Sequence, residues 1–220
     1  MAQIVLIRHG QSANNAGPEQ SRVPDPGLTD IGTQQAEATA NWLAGEKVDR
    51  LYCSPFTRSL DTTLPITRLH QVPVFVRPDL CEQGGCYSGH PAIGMQGAPG
   101  MSRDQIEDKY PGWELHKSID HRGWWHDSYE KLPTARERAS RVAAWMKGEF
   151  ADSNSVVVFV IHADFKRRLL EAVLPHPEMA ADVLGPICNT GVTRLECTKS
   201  AWQVHSLNAT NHLEERLVTF

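Results

Sequence analysis

The segment Ile4-Val5-Leu6-Ile7-Arg8-His9-Gly10-Gln11-Ser12 begins with a continuous apolar run and ends in a polar turn. An apolar run without alternation is typical of a central β-strand that is covered on both faces. A second run of this kind, Val156–Ile161, leads directly into His162. Because parallel strands end at the same edge of a sheet, we expect His9 and His162 to lie close together at the edge where such sheets bind ligands.

Helical and extended patterns alternate along most of the chain. This alternation predicts an α/β fold, a three-layer sandwich in which a mostly parallel, mixed sheet lies between helices. We expect the last two strands to form an antiparallel hairpin, which leaves an edge strand open for pairing into a homodimer. The predicted helices cover residues 29–45, 55–69, 102–109, 134–150, 165–173 and 178–184, and the predicted strands cover 4–7, 48–53, 72–76, 156–161, 190–197 and 202–207.

Residues 77–133 differ from the rest of the chain because glycine and proline interrupt the helical and extended patterns there, except in the predicted short helix at 102–109. We interpret this stretch as an irregular inserted lid or substrate segment within a single domain, 1–220. Its tryptophans cover the insert or line a substrate pocket. Its histidines recur every five residues, which fits neither a helical pair nor a zinc pattern, so no metal is expected. The residues concerned are Trp113, Trp124, Trp125, His116, His121 and His126.

The bulk properties exclude several classes of function. The chain has 220 residues, a net charge of −4 and a pI near 6.2, which argues against a nucleic-acid or anionic-membrane surface. No apolar run approaches the roughly 18 residues that a membrane helix needs. The five cysteines form no CxxC pair, and the chain begins directly in an apolar strand, so we expect reduced thiols and a cytoplasmic protein.

Two arginines suggest the ligand. Arg8 precedes His9, and Arg58 lies in the first turn of the helix that follows the strand ending at Cys53. Helix N-termini and arginine guanidinium groups both favour phosphate, which arginine binds through a planar pair of donors. Gly10 permits the sharp turn that brings backbone N–H groups close to a ligand. Together these residues predict an anion site at the edge of the sheet that carries the two histidines.

The motifs also resemble a known family. Arg8-His9-Gly10, followed by Gln11-Ser12, is similar to the signature of the histidine phosphatase superfamily, which includes cofactor-dependent phosphoglycerate mutases and many phosphatases. Four further stretches resemble the family in the same order along the chain. They are Leu28-Thr29-Asp30-Ile31-Gly32-Thr33-Gln34-Gln35-Ala36, Ser54-Pro55-Phe56-Thr57-Arg58-Ser59-Leu60-Asp61-Thr62, Leu80-Cys81-Glu82, and the strand that ends at His162.

The resemblance implies a role for each matching residue. His9 would attack phosphorus and form a phosphohistidine, for which its ring must be neutral. Glu82 would act as the general acid and then as the base that activates water, helped by a raised pKa. The remaining residues would bind the phosphoryl oxygens and stabilise their charge. This predicted phosphate-binding set is Arg8, Asn15, Ser21, Arg58, His162 and Ala163.

The chain departs from the family after its second histidine, where glycine is usual and Ala163-Asp164 stands instead. The backbone N–H of Ala163 is retained, so the phosphate pocket is expected to survive. A distant branch of the superfamily uses an aspartate directly after this histidine as its acid. Asp164 lies one position too late for that role, and Glu82 therefore remains the predicted acid.

Three functions remain open, and a phosphatase acting on a small phosphorylated substrate without a cofactor is favoured. A phosphomutase is the first alternative, but its tryptophan-containing stretch is replaced by Ala16-Gly17-Pro18-Glu19-Gln20. Between Glu82 and Tyr110, Arg103 and Lys109 are also the only lysine or arginine residues available to a bisphosphorylated cofactor. The second alternative is a non-catalytic phosphate-binding or interaction scaffold, which has no reason to keep the whole set of site residues.

Overall fold

The structure is a computed structural model, and it describes residues 1–90, 94–174 and 185–220. The helix predicted at 178–184 lies outside the described residues. Within them, the helices are α1 (Ala13–Ala16), α2 (Asp30–Leu43), α3 (Thr57–Leu69), α4 (Arg103–Lys109), α5 (Leu132–Phe150) and α6 (Ala163–Val173). The strands are β1 (Ala2–Arg8), β2 (Arg50–Cys53), β3 (Val74–Val76), β4 (Tyr87–His90), β5 (Gly94–Gly97), β6 (Glu114–Leu115), β7 (Val156–Ile161), β8 (Val192–Cys197) and β9 (Trp202–Ala209).

Seven of the described strands form one sheet in the order β6-β3-β2-β7-β1-β8-β9. The strands from β6 to β1 are parallel to their neighbours, whereas β8 and β9 run antiparallel. The predicted mixed sheet and its closing hairpin are therefore confirmed. The β1 strand is central, with β7 on one side and β8 on the other, which explains why residues 4–7 are fully apolar.

Hydrophobic clusters cover both faces of the sheet. One cluster joins inward side chains of α5 and α6 to one face, with Phe159 and Phe165 among its buried members. The other joins α2 and α3 to the opposite face, with Leu43 and Leu60 among its members. The α2–α3 and α5–α6 pairs also pack against each other. This arrangement is the three-layer sandwich that the sequence predicts.

The register of β1 against β7 positions the site. Arg8 is paired with Ile161 at the carboxyl ends of the two parallel strands. His9 and His162 are therefore the first residues after the ends of β1 and β7. His9 N donates to Ile161 O across 2.9 Å. The prediction that the two histidines lie at one edge of the sheet is confirmed.

The inserted segment has more regular structure than its sequence indicates. It contains the β4–β5 hairpin and α4, and β6 joins the main sheet beside β3. Most of its buried hydrophobic side chains, including Trp124, pack in the same cluster as α2 and α3, whereas Leu80 packs in the other cluster. Trp113 and Trp125 pack against this cluster while half-buried. The tryptophans therefore contribute to the packing of the insert, and Trp124 and Trp125 also line a surface cavity beside Asp79 and Arg138.

Two global features bear on the environment of the protein. Among the residues that the structure describes, no helix has both the length and the apolar character needed to cross a membrane. The cysteines are free thiols, and all five are buried.

Candidate active site

His9 is the centre of the site and is almost completely buried at the end of β1. Its Nδ1 lies 2.7 Å from Gly10 O, so this nitrogen carries the proton and donates it to the carbonyl oxygen. Nε2 is left with a free electron pair, which accepts a hydrogen bond from Arg58 Nε across 3.1 Å. Burial, together with the charges of Arg58 and Arg8, lowers the pKa of His9 well below its ordinary value. The ring is therefore neutral, as a nucleophile requires.

Arg58 lies in the first turn of α3 and links the two histidines. Its Nη2 donates to His162 Nδ1 across 3.3 Å, and its guanidinium group lies 3.9 Å from the centre of the Phe56 ring. Within the described part of the chain, Nη1 is buried and has no hydrogen-bond partner. A buried donor without a partner is costly, so a bound oxyanion would satisfy it.

His162 is fully buried beside His9, with 4.9 Å between the ring centres. Since Nδ1 accepts from Arg58, Nε2 carries the proton and donates to Ser54 Oγ across 2.8 Å. Ser59 Oγ lies 3.3 Å from the same nitrogen. Burial and the charge of Arg58 lower the pKa of His162 well below its ordinary value. The serines thus hold this ring in one tautomer, and neither was predicted as a site residue.

Arg8 supplies a second buried guanidinium group. Its Nη1 donates to Ile187 O, and among the described residues its Nε has no partner. Burial lowers the pKa of Arg8 to about 10, and the nearby charge of Arg58 acts in the same direction. Arg8 therefore stays charged at neutral pH but is destabilised by desolvation and by repulsion. A phosphoryl group between the two arginines would relieve this repulsion.

Glu82 follows the turn after β3 and is half-buried. Its Oε1 accepts hydrogen bonds of 2.8 Å from the backbone N–H groups of Gln83 and Phe165. Burial raises the pKa of Glu82, and the negative charge of Asp164 raises it further. Such a carboxyl group can hold a proton at a higher pH than an exposed glutamate, which is the property that a general acid needs.

Arg138 of α5 holds the backbone around Glu82. It donates to Cys81 O across 2.9 Å and to Glu82 O across 3.3 Å. Its guanidinium group also forms a paired contact with Glu130, with distances of 2.6 and 2.8 Å. Both side chains of this ion pair are buried. The position of the predicted acid therefore depends on a helix whose sequence carries no family motif.

The other predicted phosphate-binding residues occupy different settings. Asn15 is half-buried, and its Oδ1 accepts from Ser12 Oγ across 2.9 Å. Ala163 begins α6, so its N–H is one of the N-terminal donors of that helix. Ser21 is exposed and donates its hydroxyl to Pro18 O across 2.8 Å. Arg22, and not Ser21, lines the cleft beside Arg58 and Glu82. The other residues that line it are Asn14, Val23, Pro24, Phe56, Gly85, Tyr87 and Gly89.

A family model described as the histidine phosphatase superfamily (branch 1) matches residues 4–210. The chain belongs to this superfamily. The family that the motifs predicted is therefore confirmed, and the match contains every predicted site residue.

Individual relatives of this histidine phosphatase superfamily member differ in how much they share with it. An uncharacterized protein of Mycobacterium tuberculosis (strain ATCC 25618 / H37Rv) is 33% identical over 87 residues, but the chain spans only 43% of that relative's length. A glucosyl-3-phosphoglycerate phosphatase of Mycolicibacterium vanbaalenii is 27% identical over 88% of this chain and 83% of its own. A phosphoglycerate mutase-like protein 4 of Arabidopsis thaliana is 28% identical over 97% and 88%. Relatives over most of the chain thus include phosphatases, which supports the predicted class of phosphoric monoester hydrolase.

A solved structure shows the same fold. The mycobacterial glucosyl-3-phosphoglycerate phosphatase in complex with VO3 superposes with a TM-score of 0.64 at 22% identity, covering 94% of this chain and 99% of that one.

Several polar residues of the site were missed by sequence reasoning. Thr62 Oγ1 accepts from Gly10 N across 2.9 Å and thereby holds the turn after the nucleophile. Asn189 Nδ2 donates to His9 O across 3.2 Å from a loop before β8. Thr62 belongs to the quoted Ser54–Thr62 motif, which carried a signal for it. Asn189 has no such signal, because its partner lies at the other end of the chain.

Proposed function

We propose that this protein hydrolyses a small phosphomonoester through a phosphohistidine on His9, with Glu82 as general acid and base. The observation that carries this proposal is the neutral His9 ring, whose Nε2 electron pair lies against the Arg58 guanidinium group. Two buried donors, Arg8 Nε and Arg58 Nη1, lack partners among the described residues beside it. A nucleophile and unused phosphate donors thus occur in one place.

In the first step, His9 Nε2 attacks phosphorus while the bond to the ester oxygen breaks. Arg58 Nε, which contacts this nitrogen in the free protein, moves its hydrogen bond to a phosphoryl oxygen. Protonated Glu82 gives its proton to the leaving oxygen, and an alcohol is released. His9 keeps the Nδ1 proton bound to Gly10 O, so the phosphohistidine forms without losing that contact.

In the second step, a water molecule attacks the phosphorus of the phosphohistidine. The Glu82 carboxylate takes a proton from this water, and the nitrogen–phosphorus bond breaks. Inorganic phosphate leaves, and both His9 and Glu82 return to their starting protonation states. Arg8 and Arg58 stabilise the charge on the equatorial oxygens in both steps, and His162 positions Arg58 by accepting a hydrogen bond at Nδ1.

The insert favours a phosphatase over a phosphomutase. Arg103 is engaged by the backbone of Ile119 and His116 and by Glu107. Lys109 pairs with Asp61 across 3.1 Å. Both insert cations between Glu82 and Tyr110 are therefore bound within the protein. The site keeps a neutral histidine, two buried arginines and a carboxyl group of raised pKa. A non-catalytic scaffold would not need this set, so these residues argue against the scaffold alternative.

The finer predictions extend this proposal. We propose a cytoplasmic protein, supported by five buried free thiols, which persist in reducing compartments. Since β9 forms one edge of the sheet, pairing between two such strands would give the predicted homodimer. We propose a small substrate because side chains such as Phe56 and Tyr87 line the cleft at Glu82 and limit the space in it.

The decisive experiment compares hydrolysis of an aryl phosphate by the wild type, His9→Ala and His121→Ala, the last altering an exposed histidine of the insert. We expect turnover by the wild type and His121→Ala and none by His9→Ala. Acid-labile, base-stable label should appear on the wild type during turnover and disappear once substrate is consumed. Persistent label would instead indicate a mutase, and full activity of His9→Ala would refute the proposal.

A further inference from the structure

A chain of hydrogen bonds connects the backbone on both sides of Gly10, at His9 O and Gln11 N, to Thr219. Gln11 N donates to Gln35 Oε1 across 2.7 Å, and Gln35 Nε2 donates to Thr219 Oγ1 across 2.8 Å. Thr219 Oγ1 donates to Asn189 Oδ1 across 3.0 Å, and Asn189 Nδ2 donates to His9 O across 3.2 Å. These five residues form a closed circuit with the turn that carries the nucleophile, and we call it the Thr219 ring.

The backbone sets the orientation of both amides in this ring, because Gln11 N–H binds the Gln35 amide oxygen and His9 O accepts from Asn189 Nδ2. The Thr219 hydroxyl can serve both amides as they are oriented, since it accepts from Gln35 and donates to Asn189. Gln35 and Asn189 are both fully buried, where an unmatched polar group is costly. The backbone adds support, because Asn189 N donates to Thr219 O across 2.8 Å and Gln35 Nε2 donates to Leu217 O across 2.6 Å.

The ring also reaches a predicted phosphate ligand. The second hydrogen of Asn189 Nδ2 points toward Asn15 Oδ1 at 3.5 Å, the outer limit of a hydrogen bond. Ser12 donates to the same oxygen from its backbone N at 3.1 Å and from its hydroxyl at 2.9 Å. Since donors converge on Oδ1, the amide nitrogen of Asn15 is left to donate to a ligand.

We propose that Thr219 is a positioning residue for phosphoryl transfer. Its hydroxyl holds the His9–Gln11 turn through Asn189 and Gln35, and through Asn189 it directs the Asn15 amide toward the phosphoryl group. The inference rests on the proposed role of His9 as the nucleophile. Thr219 does not touch the reacting atoms; it acts by fixing where they lie, and small displacements of such atoms reduce the rate strongly.

The test is Thr219→Val, which keeps the shape but removes the hydroxyl, compared with Thr219→Ser, which keeps the hydroxyl. Thr198→Val is the matched control, because Thr198 is also half-buried but lies at the far end of β8. For aryl phosphate hydrolysis, we expect Thr219→Val to lower kcat about tenfold with little change in KM. Inhibition by vanadate, which imitates the transferring phosphoryl group, should weaken by a similar factor while inhibition by phosphate changes little. Thr219→Ser should restore both readouts.

A second variant tests the same circuit at Asn189, with circular dichroism checking that each variant is folded. Asn189→Asp keeps an oxygen that accepts from the Thr219 hydroxyl, but the amide nitrogen that donates to His9 O becomes a second carboxylate oxygen. Because the bond to His9 O is lost, this variant should also lower kcat. The double variant should lose no more than the more damaged single variant, because the two residues act in one circuit. Wild-type kcat and vanadate inhibition in folded Thr219→Val would overturn the inference, as would additive losses. If His9→Ala were active, the proposed function would fail instead, so the two failures are distinguishable.

Discussion

Arg58 Nε donates directly to the Nε2 atom of His9, the atom proposed to attack phosphorus, across 3.1 Å. This hydrogen bond occupies the electron pair of Nε2 until a phosphoryl group binds and Arg58 donates to one of its oxygens instead. Burial lowers the pKa of His9, and the positive charge that Arg58 keeps beside the ring lowers it further. One arginine thus prepares the nucleophile in the free protein and binds the oxyanion during the reaction.

Arg58→Lys tests this double role, because lysine keeps the charge but loses the planar set of donors. We expect kcat/KM for aryl phosphate hydrolysis to fall about 100-fold or more, since one ammonium group cannot contact His9, His162 and phosphate together. The control is Arg68→Lys on the same helix, where the side chain forms an exposed pair with Glu37. Equal activity of the two variants would contradict the assigned role.

Glu82→Gln separates acid catalysis from binding through the choice of leaving group. An alkoxide needs a proton as it leaves, whereas a nitrophenolate does not. We therefore expect Glu82→Gln to reduce kcat for an alkyl phosphate about 100-fold or more, and the first turnover of nitrophenyl phosphate far less. Rapid-quench measurement of the first turnover checks this, with exposed Glu107→Gln as the control. Equal losses for both esters would show that Glu82 is not the proton donor.

Asp164→Asn tests the electrostatic coupling next to that acid. The charge of Asp164 raises the pKa of Glu82, so its removal should lower that pKa. Because the acid must be protonated, activity on an alkyl phosphate should fall with rising pH through the Glu82 pKa, and in Asp164→Asn this decline should begin at lower pH. The profile of kcat/KM against pH measures the shift. Complete loss of activity at every pH would instead make Asp164 the acid.

At Gly32, α2 packs closely against the turn that follows His9, and Gly32→Ala tests whether the turn tolerates an added methyl group. A Cβ atom at Gly32 would lie 2.0 Å from Gln11 O, and one at Gly10 would lie 2.6 Å from Gly32 O. Although alanine normally stabilises a helix interior, Gly32→Ala should destabilise the protein by about 1–3 kcal/mol and reduce activity, because the turn must move. Gly148→Ala is the control on α5, where a Cβ meets no atom within 4 Å and should stabilise by about 0.5–1 kcal/mol. Urea denaturation measures both.

Lys166 makes stability depend on pH. It is fully buried, and its Nζ donates to Gly191 O across 2.8 Å and to Leu6 O across 3.1 Å. Burial lowers its pKa from 10.5 to about 7, so between these values the unfolded chain binds more protons than the folded one. The free energy of unfolding should therefore rise with pH above about 7, by up to about 1.4 kcal/mol per unit.

Lys166→Met should lack this contribution. The difference in the free energy of unfolding between the wild type and Lys166→Met should change across pH 7 to 10, whereas exposed Lys117→Met should follow the wild type in parallel. Denaturation at several pH values provides the comparison. Parallel curves for Lys166→Met would show that the buried amine does not titrate in this range.

Features with a local pattern could be predicted from the sequence. The apolar runs before His9 and His162 indicated two central strands, and parallel pairing then required that the histidines meet. The first turn of α3 followed from its position after β2, which brought Arg58 to the same edge. Each of these inferences needs only a short stretch of sequence and the geometry of parallel sheets.

Features that depend on distant partners could not be predicted. Asn189 and Thr219 are ordinary polar residues in loops, and only the folded chain shows that they bond to each other. Lys166 lies in a helix pattern that gives no hint of burial, since its amine finds carbonyl oxygens on other elements. The two-residue strand β6 is too short to show any alternation. Ser21 was named from the family resemblance alone, and the cleft beside Glu82 is lined by Arg22.

The order of the strands has a consequence for synthesis of the protein. The ribosome makes β1 first, but both of its neighbours in the sheet, β7 and β8, come from the last third of the chain. At about 5–20 residues per second, residues 2–8 wait on the order of ten seconds or more for a partner. A nascent chain therefore carries an apolar strand with two unpaired edges, the kind of segment that chaperones protect. The nucleophile is made early, yet its surroundings are complete only after Thr219 has emerged.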